Sequence, residues 1–164
     1  MDPGLASTGW GVLDCSGGRI RHVAHGCIET KAGGPLELRL LHIMRSLRLV
    51  LDEYGPTESA VEILYFGKNV SSGIPVAEAR GVIFAVLAEG GIPVAEFRPN
   101  AIKQGVTGVS LARKGQVQEM VRIILGLDTP PSPDHAADAL AVAICAANGL
   151  PAGTGDMGQG TGEL

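Results

Sequence analysis

A chain of 164 residues has room for one domain with a real core and excludes two comfortable ones. Hydrophobic residues at 45% and charged residues at 18% exclude a disordered or fibrous protein, and the lack of any apolar run near the ~18 residues of a membrane span points to a cytoplasmic location with no membrane attachment. Residues 1–67 carry six Lys/Arg against eight Asp/Glu, 68–122 seven against four and 123–164 none against five, so a segment of +3 sits between segments of −2 and −5; a net charge of −4 therefore does not exclude a polyanionic partner held on one surface, with carboxylates gathered at another.

The chain opens on Met1-Asp2-Pro3-Gly4, followed by small residues and Gly9-Trp10-Gly11-Val12. This pattern predicts a buried first strand over 1–5 that ends in a tight turn. Residues 9–14 and 19–30 then form a hairpin about Cys15-Ser-Gly-Gly. Apolar residues recur with helical period from Leu36 to Tyr54, and Gly55-Pro56 ends that helix. Residues 59–64 read as a short buried strand containing one acid, and 68–75 as a polar loop. A helix over 76–89, a strand over 92–97, a short helical turn over 99–105 and a helix over 110–125 follow. The last helix runs from a Ser132 N-cap and a Pro133 first position to about Asn148. Beyond 150 the spacing of Gly153, Gly155, Gly158, Gly160 and Gly162 predicts a disordered tail over 151–164, which leaves one folded domain over 1–150. Cys15, Cys27 and Cys145 show no CxxC spacing and read as small buried hydrophobes in a reducing compartment. The element order is that of an α/β domain in which a hairpin precedes crossover units.

Besides Asp2 at the opening turn, two acids sit where a carboxylate is locally expensive. Glu62 lies among Ala60, Val61, Ile63 and Leu64, and burying an unpaired carboxylate costs several kcal/mol. Asp138 lies in the run Ala136-Ala137-Asp138-Ala139-Leu140, with His135 three residues before it on the same helical face. Carboxylates converging from strands and a helix repel unless a divalent cation lies between them, which is the composition of a hard-metal site for phosphodiester hydrolysis. His22 and His25 also stand three apart, but in a regular strand that spacing places them on opposite faces. His42 reads as a structural or surface residue.

Four stretches carry a resemblance to a known family: Asp2-Pro3-Gly4-Leu5 with Thr8-Gly9-Trp10-Gly11; Ala60-Val61-Glu62 with Tyr65 and Lys68-Asn69; Lys103-Gln104 through Val106-Thr107-Gly108 to Ala112, Lys114, Gln116-Val117 and Met120-Val121; and His135 through Ala141. Together they resemble the bacterial Holliday-junction resolvases of the RuvC family, within the ribonuclease H-like nucleases. The resemblance implies a ribonuclease H-like mixed sheet flanked by helices, a homodimer with one active site per subunit, and two Mg²⁺ or Mn²⁺ ions per site. It implies paired symmetrical nicks across a four-way DNA junction, with the RuvA and RuvB branch-migration proteins as partners. In that pattern Asp2, Glu62, His135 and Asp138 are the catalytic metal ligands. Tyr65 stacks on an unpaired base, and Lys68, Asn69, Lys103 and Lys114 contact DNA.

Two departures from the family pattern matter. His135 stands where many members carry a second aspartate; a neutral imidazole removes one negative charge and favours Mn²⁺ over Mg²⁺. Family members also place several apolar residues before the Asp-Pro-Gly turn where this sequence has only Met1, so a truncated first strand and a start site upstream of Met1 are expected. Three other readings compete with the resolvase. A junction-binding protein with little catalysis follows from the short first strand, and another ribonuclease H-like nuclease shares the acids. An actin-like ATPase shares the Asp-x-Gly turn but needs a second phosphate motif.

Overall fold

The computed structural model describes residues 1–64 and 70–149. The expected hairpin forms as β1 (Ser7–Asp14) and β2 (Arg21–Glu29), antiparallel, with Gly9 opposite Cys27 and Gly11 opposite His25. A short 3-10 turn over Ser16–Gly18 joins them, closed by the Asp14 carboxylate, which accepts from the Ser16 amide at 2.9 Å and its hydroxyl at 3.0 Å. Cys15 is exposed at this turn and Cys27 is half-buried, so only Cys145 is the fully buried thiol expected of all three.

The pairing shifts between Val12 and Leu13: Val12 faces Ala24 while Leu13 faces His22, which leaves Val23 without an opposite residue. One extra residue resets the side-chain alternation of a strand. His22 and His25 therefore share a face, with Nε2 and Nδ1 2.7 Å apart, and the expectation of opposite faces fails because the strand is bulged.

α1 (Leu36–Tyr54) forms where its periodicity predicts and buries Ile43 and Leu47 completely; Gly55, at φ 52°, ends it. β3 (Ser59–Glu62) is two residues shorter than expected and pairs in parallel with β4 (Val94–Phe97), Glu62 opposite Phe97. α2 (Val70–Glu89) overturns part of the expected loop, because residues 70–75 are helical with Pro75 inside. A proline costs a helix interior about 3 kcal/mol, and the fully buried Ala79, Ile83 and Leu87 further along give this helix the tertiary packing that offsets it.

α3 (Pro99–Thr107) is followed by a turn in which the Ala112 amide bonds the Val109 carbonyl, so α4 (Lys114–Leu125) starts four residues later than expected. α5 (Asp134–Ala147) starts at an extended Pro133, whose carbonyl accepts from the Ala136 amide at 2.9 Å; Pro133 and not Ser132 is the N-cap.

No regular strand forms over 1–5. Met1 and Asp2 instead join the two strand pairs into one mixed arrangement. The Met1 amine donates to the Ala60 carbonyl at 2.7 Å and the Glu62 amide to the Met1 carbonyl at 3.1 Å, which is parallel pairing with β3. The Asp2 and Gly9 amides exchange bonds with each other's carbonyls at 3.0 and 2.9 Å, an antiparallel bridge to β1. Pro3 has no N–H to continue either ladder, and the chain turns there, with the Thr8 hydroxyl donating to the Gly4 carbonyl at 2.7 Å.

Two apolar clusters make up the core. Ile43, Leu47, Val61, Ile83 and Leu87 knit α1 and α2 to β3. Phe97, Val121, Leu140 and Ile144 knit α3, α4 and α5 to β4. Among the described residues no helix is long and apolar enough to cross a membrane. The expected tail over 151–164 lies outside the described residues.

Candidate metal centre

Asp2 reaches the site from the two-residue bridge between the strand pairs, and the helix that meets it needs glycine in β1. A Cβ on Gly9 would lie 1.8 Å from the His135 carbonyl oxygen, and one on Gly11 would lie 2.6 Å from Leu140 Cδ2. The bare backbone at 9 and 11 thus lets the first turns of α5 lie directly on β1. That contact brings His135 Nδ1 to 2.6 Å from Asp2 Oδ2. Asp2, His135 and Asp138 each offer a ligand atom within 4.8 Å of the others, so the i,i+3 pair on α5 and the acid from the far end of the chain converge.

Glu62 ends β3, and its amide is bonded to the Met1 carbonyl next to Asp2. It lies outside the tightest group but shares its electrostatics. Burial first, then the charges of Asp2 and Asp138, push its carboxyl up to about 7, against the opposing pull of the Met1 ammonium and Lys103. Burial likewise raises Asp138, while Lys114 holds it back. The Met1 ammonium is pushed down to about 6 by burial, with Asp2 and Glu62 opposing. Carboxylates forced together and reluctant to ionise are the condition a divalent cation relieves. Three carboxylates and an imidazole also form a donor set that suits Mg²⁺ or Mn²⁺, so the residues fit the ions expected of them.

Of the expected DNA-contacting residues, Lys103 lies on α3, near enough to Glu62 to counter its upward shift. Lys114, the first residue of α4, places Nζ 3.1 Å from both Asp134 Oδ2 and Asp138 Oδ2. Tyr65, Lys68 and Asn69 lie outside the described residues. Asp134 escaped the sequence reading: at the start of α5 it looks like an ordinary dipole-complementing acid, and only its i,i+4 spacing to Asp138 hints at a shared partner.

A cavity of about 690 Å³ opens elsewhere, between β1, the end of α1 and the start of β3; Met1, Trp10, Leu47, Tyr54 and Ala60 are among its walls. None of the four candidate ligands lines it, although Met1, the neighbour of Asp2, does, so it is no part of the metal centre.

The family model for the crossover junction endodeoxyribonuclease RuvC matches residues 1–146. The chain is 50% identical over 151 residues to the crossover junction endodeoxyribonuclease RuvC of Chloroflexus aggregans, covering 92% of each chain. It is 50% identical over 144 residues to that of Treponema pallidum, covering 88% of this chain and 74% of the relative. Among solved structures, RuvC of T. thermophilus in complex with a Holliday junction substrate superposes with a TM-score of 0.82 at 34% identity, over 87% of each chain. A family match across the described fold and half-identical relatives over most of their length lead to one conclusion: the chain belongs to the RuvC family of crossover junction endodeoxyribonucleases.

Proposed function

We propose that this chain is a metal-dependent endonuclease that resolves four-way DNA junctions by paired, symmetrical phosphodiester hydrolysis, working as a homodimer. The observation that carries this reading is the convergence of Asp2, His135 and Asp138, with Glu62 beside them, in a chain of the RuvC family. Asp2, Glu62, His135 and Asp138 are the residues that hold Mg²⁺ or Mn²⁺, two ions per site. When bound, such ions lower the pKa of a water and neutralise charge on the scissile phosphate.

The protein's own part is positional. Asp2 is fixed by its two backbone bonds to Gly9, and His135 is fixed against Asp2 through Nδ1. Burial and the neighbouring acids push the Glu62 carboxyl up to about 7, so without a cation it is only partly ionised at neutral pH and the acids of the site repel less than full charges would. Lys103 and Lys114 supply cations for the DNA backbone, and the family likeness makes Tyr65, Lys68 and Asn69 DNA-contacting residues as well. A homodimer sets two such centres against a four-way junction, one for each of the paired nicks. RuvA and RuvB are the partners that the family likeness suggests, and the cytoplasm is where they act.

The test is incubation of the purified protein with a synthetic four-way junction and with a linear duplex of the same sequence, with Mn²⁺ and with EDTA. Paired nicks in the junction only, and only with metal, are expected. Tight junction binding without cleavage in Mn²⁺ would establish the binding-only reading instead.

A further inference from the structure

We propose that Lys114 is a positioning residue that gives up Asp138 when a divalent cation loads the site and thereby becomes available to a DNA phosphate, which couples metal occupancy to junction binding. This rests on the metal-centre reading above.

The Lys114 ammonium lies 3.1 Å from Asp138 Oδ2, inside the candidate ligand group, and 3.1 Å from Asp134 Oδ2, outside it. One cation thus straddles the boundary of the centre. Asp134 is tied separately, because Gln118 Nε2, one turn further along α4, donates to Asp134 Oδ1 at 2.9 Å. The exposures grade outward: the side chains of Asp138, Lys114 and Asp134 are 30, 49 and 66% exposed. Asp138 is the member that cannot leave, and Lys114, on four flexible methylenes, is the member that can.

A dication and an ammonium cannot both sit against one carboxylate oxygen without mutual repulsion. A dication entering between Asp2 and Asp138 takes the carboxylate that half-neutralises Lys114 and adds positive charge beside it. The ammonium withdraws toward Asp134, where Gln118 has kept a carboxylate waiting, and stands at the rim of the loaded centre with unused donors. A phosphate oxygen is the natural occupant of such a spot. Linkage then requires reciprocity: whatever metal does for junction affinity, the junction does for metal affinity. A plain α4–α5 clamp would have no such consequence.

The experiment follows Mn²⁺ binding to the DNA-free protein by the electron paramagnetic resonance of the free ion, and junction binding by fluorescence anisotropy in Ca²⁺ and in EDTA. The variants are Lys114→Met, Lys114→Gln and Asp134→Asn, with melting curves to confirm folding. Lys114→Met and Lys114→Gln should bind Mn²⁺ about fivefold more tightly or better, a typical size for coupling between sites. Asp134→Asn should bind Mn²⁺ more weakly than the natural protein, because Lys114 then has Asp138 alone. The gain in junction affinity from EDTA to Ca²⁺ should shrink in both Lys114 variants. Mn²⁺ affinities of both Lys114 variants within twofold of the natural protein, or an Asp134→Asn variant that binds Mn²⁺ more tightly, would overturn the proposal. A natural protein that binds no Mn²⁺ at all would remove the metal centre itself and this coupling with it.

Discussion

His135 Nδ1 and Asp2 Oδ2 meet at 2.6 Å across 133 residues of sequence. The helix that begins at Asp134 and the bridge that begins the chain are therefore registered by a side-chain bond at the centre itself. His135→Ala should lower metal-dependent cleavage by more than the ~10–100-fold typical of a residue that only supports a ligand. His135→Asp should retain cleavage but shift its preference from Mn²⁺ toward Mg²⁺, because an aspartate restores the negative charge and hard oxygen ligand that the imidazole lacks. Rates with each metal at one pH check this; an unchanged metal preference in His135→Asp would contradict it.

Glu62 gives a pH signature in the metal-free protein. Burial and the nearby Asp2 and Asp138 push its carboxyl in the folded protein up to about 7, from an ordinary value near 4.5, so the folded state favours its protonated form. That contribution to stability is fully present below about 4.5 and is lost as pH rises through about 7. Glu62→Gln carries no such titration. In EDTA the melting temperatures of the two proteins should agree near pH 4.5, and the variant should become the more stable by pH 8, by about 3 kcal/mol at most. Parallel curves across that range would show that Glu62 is not the strained acid described.

Gly9 should tolerate no side chain. A Cβ there meets the backbone of His135, whereas one on Gly11 meets the end of the Leu140 side chain, which can give way. Gly9→Ala should cost about 3 kcal/mol or more and weaken Mn²⁺ binding, and Gly11→Ala should cost about 1–2 kcal/mol with smaller effect on the metal. Thermal melts and Mn²⁺ titration distinguish them; equal effects would mean that the His135 backbone is not held where it is seen.

The buried Met1 ammonium is a fourth point of leverage. Burial pushes it down to about 6 while it donates to the Ala60 carbonyl, and the apolar walls of the adjoining cavity include Trp10, Leu47 and Ala60. Joining five apolar residues to Met1 replaces a charged amine with a neutral amide and offers β1 and β3 further backbone to pair with. The melting temperature should rise, by about 2–4 °C for each kcal/mol gained. No rise, or a fall, would mean that the cavity does not accept a strand.

Much of this architecture was legible from residue order because it depends on local rules. The α1 stripe through Ile43 and Leu47, the turn at Ser16–Gly18 and the acid–histidine pair on α5 all follow from period and spacing. What escaped the reading depends on contacts distant in sequence. Pro75 reads as a breaker, yet the helix around it buries Ala79 and Ile83 against α1. Ser132 reads as a cap, yet the chain enters α5 from an extended Pro133. The pairing of His22 with His25 needs a bulge that no spacing rule announces, and Asp134 gains its interest only because α4 brings Lys114 to it.

Mn²⁺ anomalous scattering from crystals of the loaded protein tests most directly whether Asp2, His135 and Asp138 hold a divalent cation. A Mn²⁺ peak should lie about 2.0–2.3 Å from a carboxylate oxygen of both Asp2 and Asp138, and vanish in Asp138→Asn. A protein that cleaves junctions in Mn²⁺ while its crystals show the ion bound only elsewhere would contradict the account.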